Sequence, residues 1–331
     1  MSEYLEMDRE EQISLLEEFA NDVLIQYGIT GSDFHCQHHS YNTTFKFKGS
    51  DGVDYAMRIS TASRKWPEHI WAEVQWLEEL HRDGSISAPL PIKNLQREAF
   101  SNHYFFYQGG NLDVIIYPWI EGEVVGANPS DEQIFELGKQ MATMHLLGKN
   151  WKPEGYANFL AIDKPLMIRE DNLFTFQLDE ISPAQYEILR EINDGSEKLF
   201  ERLREGSEPQ LIHADLHFGN VLSSAGKLAI LDFDDAGMGF PLQDLAITIF
   251  SLRTDREREK QLLAGYSSVA PLPVFEPADL ELLIANRCLV LLNYRLGATN
   301  KDDVAKLPDY LKKTELHLKN YLETGEFSLL E

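Results

Sequence analysis

Residues 213–220 read HADLHFGN, and from residue 231 the chain continues LDFDDAGMGFPLQDL. Two His, one Asn and five Asp thus stand close together, each polar group set against an apolar run. Oxygen-bearing side chains at this density suit a reaction in which negative charge spreads over phosphoryl oxygens. Such a reaction needs a carboxylate beside the attacking hydroxyl and hard oxygen ligands for a divalent cation. Asp215 and Asn220 lie on what reads as a loop leaving the apolar strand LIHA, and a second apolar strand, LAIL, delivers Asp232 beside them. On that reading Asp215 is a candidate base, and Asn220 with Asp232 are candidate metal ligands. The bland reading is that Asp and Asn cap turns at strand ends, which they favour through local hydrogen bonds. A rival is an H-x-D-x-H metal site made by His213, Asp215 and His217. It needs further ligands, and outside this stretch only scattered histidines such as His145 are on offer. The cluster FHCQHH at 34–39 falls on an expected strand, where successive side chains face apart.

Elements that must position these residues are legible around them. Residues 8–27 predict a surface helix with Ile13, Leu16, Phe19 or Ala20, and Val23 inward and Gly28 as its stop. From 34 to 60 the pattern alternates, predicting antiparallel hairpins with Phe45 and Phe47 on one strand and Val53, Tyr55, Met57 and Ile59 on the next. PEHIWAEVQWLEELHRDG predicts a helix with Pro67 near its first turn, and HYFFYQGGNLDVIIYPW another hairpin. Beyond Trp119 the pattern is mostly helical, with LIHA and LAILDF the only clear strands. The expected fold class is therefore α+β and two-lobed: a small antiparallel β-rich N-lobe over 1–118 and a larger, mostly helical C-lobe over 119–331.

Bulk properties narrow the function classes. The 331 residues carry 30 Lys and Arg against 54 Asp and Glu, a net charge of -24, which repels polyanions and makes nucleic acid an unexpected partner. An acidic surface of this kind suits solubility, or a cationic substrate. MSEYLEMDREEQ has neither the basic start nor the apolar core of a secretory signal, and no run of 18 uncharged apolar residues predicts a membrane span. Cys36 and Cys288 give no disulfide framework. A cytoplasmic location is the expectation.

The H-x-D-x-x-x-x-N spacing, the Asp that follows an apolar strand, and the β-rich region before them together resemble the aminoglycoside phosphotransferase and choline kinase superfamily, which has a protein-kinase-like fold. HADLHFGN followed by LDFDDAGMGFPLQDLA looks most like the branch that contains stress-response kinase A and the type II homoserine kinases. The resemblance is tight over 211–250 and looser over 38–122. It implies that Asp215 is the catalytic base, that Asn220 and Asp232 bind Mg2+, and that ATP is the donor. It further implies that His213 buttresses the loop, that His217 faces the phosphates or the acceptor, and that Asp244 braces the catalytic loop; Asp234 and Asp235 are typical of the branch.

On the nucleotide side, DYAMRIS places Arg58 where the resembling kinases carry V-A-I-K, keeping the charge but with a planar fork in place of a compact ammonium. Glu73 is the implied partner, with Glu78 and Glu79 facing solvent. No G-x-G-x-x-G precedes this strand. The turn in HSYNTTFKF stands in its place, with Ser40, Asn42 and Thr43 expected over the phosphates. In IIYPWIEGE the backbone of Trp119 and Ile120 is expected to meet an adenine edge, and Gly122 to let the chain turn. The helix LIANRCLVLLNYRLGA offers Asn286, Arg287, Tyr294 and Arg295 either to a carboxylate of the acceptor or to internal acids. The expected activity is ATP-dependent phosphorylation of a small-molecule hydroxyl, since no long activation segment separates Asp232 from Pro241. A Ser/Thr protein kinase and a nucleotide-binding pseudokinase are the alternatives.

Overall fold

The computed structural model describes residues 3–62, 66–167, 172–175, 178, 180–297 and 305–329. The chain divides into two compact units. The first takes the residues up to Ile70, Pro89–Ile120 and the described part of 297–306; the second takes Trp71–Ala88, Glu121–Leu296 and the chain from Leu307.

In the first unit, a short helix α1 (Glu3–Glu6) precedes α2 (Arg9–Tyr27). A reciprocal capping box starts α2, with Glu11 N donating to Asp8 Oδ1 (2.9 Å) and Asp8 N to Glu11 Oε2 (3.0 Å). Gly28, at φ +67°, ends it. Strands β1 (Gly31–His39), β2 (Thr43–Gly49), β3 (Asp54–Ile59), β4 (Ser101–Phe105) and β5 (Gly110–Pro118) form one antiparallel sheet in the order β1-β2-β3-β5-β4. Strand alternation seats Phe45, Phe47, Tyr55, Met57 and Ile59 in a core shared with Leu16, Ala20, Val23 and Leu24 of α2. Two expectations change here. Ile13 and Phe19 are only partly buried while the polar Gln12 is buried, and Val53 is exposed just ahead of β3. Gln12 goes inside because Nε2 donates to Tyr4 O (2.8 Å) and Oε1 meets His39 Nε2 (2.9 Å).

Helix α3 (Pro67–Asp83) groups with the second unit from Trp71 onward, whereas the sequence reading counts it with the N-lobe. Gln75 makes the reason visible: its Oε1 accepts from Glu154 N (2.6 Å) and its Nε2 donates to Glu154 O (3.2 Å), while Trp76 packs 5.1 Å from the Trp151 ring. The rest of this unit holds β6 (Glu123–Val124), α4 (Asp131–Gly148), α5 (Pro183–Gly206), β7 (Gln210–Ile212), β8 (Val221–Ser224), β9 (Lys227–Ile230) and β10 (Gly237–Gly239). Helices α6 (Pro241–Phe250), α7 (Glu259–Ser267), α8 (Pro277–Leu296) and α9 (Leu307–Thr324) complete it. In sheets β6-β8-β9 and β7-β10 the strands β7 and β9 answer to LIHA and LAIL, whereas β6, β8 and β10 are ones the sequence does not announce. Among the described residues no helix is long and apolar enough to cross a membrane.

Helices α4 and α7 touch backbone to backbone. A Cβ on Gly265 would strike Phe135 O, and one on Gly138 would strike Leu262 O. This approach brings His145 Nδ1 of α4 to 3.0 Å from the Tyr266 hydroxyl of α7. Gly265→Ala is therefore expected to lower unfolding stability by about 2 kcal/mol, read from urea titration; wild-type stability would show that the helices have room to spare.

Candidate active site

The site grows from one buried carboxylate. Asp244 sits in the first turn of α6, fully out of solvent. Its Oδ2 accepts from His213 N (2.9 Å) and its Oδ1 from Ala214 N (2.7 Å). His145 Nε2 lies 3.0 Å from the same Oδ2. Burial pushes this carboxyl up, yet His145 and His213 more than offset it, so its pKa falls below the usual carboxylate range. Ala214 is held at φ +69°, a left-handed conformation that costs an L residue about 1–2 kcal/mol. The two backbone N–H groups given to Asp244 are what fix that turn.

From this anchor the 213–220 loop is tied residue by residue. His213 donates from Nε2 to Leu231 O (3.0 Å) and accepts at Nδ1 from Asp215 N (3.3 Å). Burial pushes its pKa down, and the neutral ring packs 4.6 Å from Phe233. Both nitrogens are occupied, so His213 has no lone pair for a metal, and the H-x-D-x-H reading fails on this bonding. Among the described residues no three His, Cys, Asp or Glu group as a metal set. Thr248 Oγ1 of α6 donates to Leu216 O (2.5 Å).

Asp215 is gripped on both carboxylate oxygens. Arg287 Nη2 of α8 pairs with Oδ1. Asn220 Nδ2 donates to Oδ2 (3.1 Å) and to the Asp215 carbonyl (3.0 Å), and His217 Nε2 stands 3.5 Å from Oδ2. Burial raises the Asp215 pKa, but Arg287 foremost, then His217 and His213, bring it below the usual range. Because the Asn220 amide nitrogen is turned to Asp215, its amide oxygen points the other way. Leu231 N donates to Asn220 O (2.8 Å), which joins this loop to the residue before Asp232. Asp232 itself adopts φ +64° and ψ +62°, turning the chain sharply into Phe233–Asp235.

Helix α8 forms the facing wall. Asn286 Nδ2 donates to Pro165 O (2.7 Å), and Asn293 Oδ1 accepts from Asn172 N (2.8 Å) and Leu173 N (3.0 Å). Burial drives the Tyr294 pKa well up, helped by Asp235, Asp234 and Asp215, which places that phenol among the acids. Of the four residues the sequence offers to an acceptor, Arg287 is paired with an internal acid and Arg295 lies 4.2 Å over the Tyr310 ring of α9.

The nucleotide-side candidates lie in the first unit, except Glu73. Arg58 is buried in β3 opposite Thr44 and Ile115. Asp113 of β5 feels it: burial raises that carboxyl, and Asn102 and Arg58 pull against the rise. Glu73 is buried rather than solvent-facing, in the part of α3 that groups with the second unit. Ser40 N donates to Asn42 O (3.1 Å), closing the expected turn. Thr43 departs from the expectation, because its side chain is fully buried and its Oγ1 lies 2.7 Å from His39 Nδ1; it anchors the turn from beneath. Trp119 N donates to Asp54 O (2.9 Å), so an adenine edge would find only its carbonyl, and Ile120 ends this unit. In the second unit Gly122 passes close to β8, where a Cβ would come 3.1 Å from Ser223 O.

A model of a phosphotransferase enzyme family (APH) matches residues 37–280. The chain is 26% identical over 208 residues to amicoumacin kinase of Bacillus subtilis (strain 168), covering 61% of this chain and 58% of that protein. It is 28% identical over 218 residues to a homoserine kinase of Mesorhizobium japonicum, covering 64% of each. The match thus spans under two thirds of either relative's length. A microcompartment-associated aminopropanol kinase shares the fold at a TM-score of 0.77 and 21% identity, over 95% of this chain and all of that one.

The buried Asp244 generates a prediction with a pH signature. Asp244→Asn removes an acceptor from buried N–H groups and is expected to cost about 3 kcal/mol at pH 7. A carboxyl whose folded pKa is depressed adds stability above its unfolded pKa, and that stability is lost as pH falls through the folded value. The gap in urea midpoint between wild type and Asp244→Asn should therefore narrow as pH drops from 6 toward 3; a gap that widens on acidification would contradict the bonding described.

Proposed function

The chain belongs to the phosphotransferase enzyme family, and from that premise we propose that it transfers the γ-phosphoryl group of ATP to a hydroxyl of a small molecule. The observation that carries this reading is the Asp215 carboxylate, held ionised at the end of a rigid loop with Asn220 bonded to it. In the proposed reaction Asp215 takes the proton of the acceptor hydroxyl. The freed oxygen forms a bond to the γ-phosphorus, the bond from that phosphorus to the β,γ-bridging oxygen breaks, and ADP leaves.

The Asn220 amide oxygen and the Asp232 carboxylate are the donor set for Mg2+, hard oxygens on two loops joined by the Leu231–Asn220 backbone bond. A bound Mg2+ would offset the charge of the triphosphate oxygens. Asp244 and His213 serve by fixing the loop, and His217, the more exposed histidine, borders the acceptor. Arg58 and the Ser40–Asn42 backbone are the groups proposed for the phosphates. With Arg287 already paired to Asp215, the acids at 234 and 235 favour an acceptor that carries an amine, in keeping with the aminopropanol kinase among the fold neighbours. A cytoplasmic small-molecule kinase is the sum of this proposal.

The test is ATP consumption with Mg2+ and a panel of aminopropanol, homoserine and choline, comparing wild type with Asp215→Ala. The expected result is turnover with at least one acceptor and a loss of about 100-fold or more in the variant, the scale of a positioned general base. Equal rates in the two proteins would remove the proposal.

A further inference from the structure

We propose that Arg287 is a positioning residue for phosphoryl transfer, fixing the inner edge of Asp215 from α8 so that the outer oxygen stays turned to the acceptor hydroxyl. The inference rests on Asp215 acting as base, as proposed above.

The two carboxylate oxygens have different surroundings. Oδ1 meets Arg287, whose side chain is 7% exposed, while Oδ2 stands beside His217, 38% exposed, and the Asp215 side chain itself is 20% exposed. Oδ1 therefore looks into the unit and Oδ2 looks out. Asn220 donates to Oδ2 at 3.1 Å, and His217, whose Nδ1 accepts from Gly219 N, brings Nε2 to 3.5 Å on the more exposed side, so a proton from the acceptor reaches Oδ2 alongside His217. A carboxylate held only by Asn220 could swing about its Cβ–Cγ bond and present either oxygen. The guanidinium limits that freedom by pairing Nη2 with Oδ1, from a rigid planar group that an ammonium on a flexible stem does not reproduce. The helix behind it is itself fixed, through Asn286 to Pro165 and Asn293 to Asn172 and Leu173. Burial works against the Arg287 charge, yet Asp215, Tyr294 and Asp235 together keep it held. A cation placed there also keeps Asp215 from being repelled by the acids at 232–235 and by an incoming triphosphate.

The probe is Mg2+-dependent ATP turnover, with water or a panel compound as acceptor, in wild type, Arg287→Lys, Arg287→Ala, Asp215→Asn and the Asp215→Asn/Arg287→Lys double variant. Arg287→Lys is expected to lower kcat by about 10-fold to 100-fold, the scale of a misaimed catalytic group, with KM for ATP within about twofold of wild type. In the Asp215→Asn background the same change is expected to alter kcat by less than about twofold, since residues acting as a unit are not additive. Guanidinium ion at low millimolar concentration is expected to restore part of the kcat of Arg287→Ala; if that variant does not fold, the Lys variant and the double variant decide. Wild-type kcat in Arg287→Lys, or an equal loss with and without Asp215, would overturn the proposal. No Asp215-dependent turnover in wild type would instead overturn the phosphotransfer reading on which it rests.

Discussion

One fully buried carboxylate governs the geometry of this protein's candidate site. Asp244 is removed from water, where an unpaired charge would be prohibitive, and it persists because three donors from two other segments reach it: His213 N, Ala214 N and His145 Nε2. Those bonds are also constraints. They hold Ala214 in a left-handed turn, and that turn aims the next residue, Asp215. The His145 donor depends on Tyr266 and on two glycines that let α4 and α7 meet backbone to backbone. A helix crossing remote from the loop in sequence is thus connected to the loop's conformation by a short chain of hydrogen bonds.

Beyond that anchor, the site distributes its strain and its charge unevenly. Ala214 and Asp232, both non-glycine residues at positive φ, flank the two loops. Such conformations survive only where the surroundings over-determine them, and they concentrate where side chains must be aimed. In a chain of net charge -24, the buried Arg287 pairs with Asp215 and feels Asp235, and it does so from a helix rather than from the loop itself.

How much of this is visible in the sequence depends on range. HADLHFGN and LDFDD can be read because spacing along a loop and a strand end maps directly onto proximity. Arg287 lies 72 positions from Asp215 and Tyr266 lies 121 from His145, so no local pattern links them, and a lone His on an apolar helix face looks like ordinary core. Thr43 is different. Phe45 and Phe47 face inward, and extending the same alternation back by one step places Thr43 inside as well, which the serine- and asparagine-rich look of the turn conceals. Gln12 escapes notice because amphipathic counting passes over buried amides, and β6, β8 and β10 run only two to four residues without the apolar run that marks β9.

The central claim is that Asp215, Asn220 and Asp232 form one phosphoryl-transfer centre. A crystal structure with Mn2+ and a non-hydrolysable ATP analogue, the metal located by its anomalous scattering, examines that most directly. The account predicts metal bonded to the Asn220 amide oxygen and the Asp232 carboxylate, with Asp215 Oδ2 facing the γ-phosphate and its Oδ1 still paired with Arg287. Metal bound to His217 instead, or a γ-phosphate remote from Asp215, would contradict it.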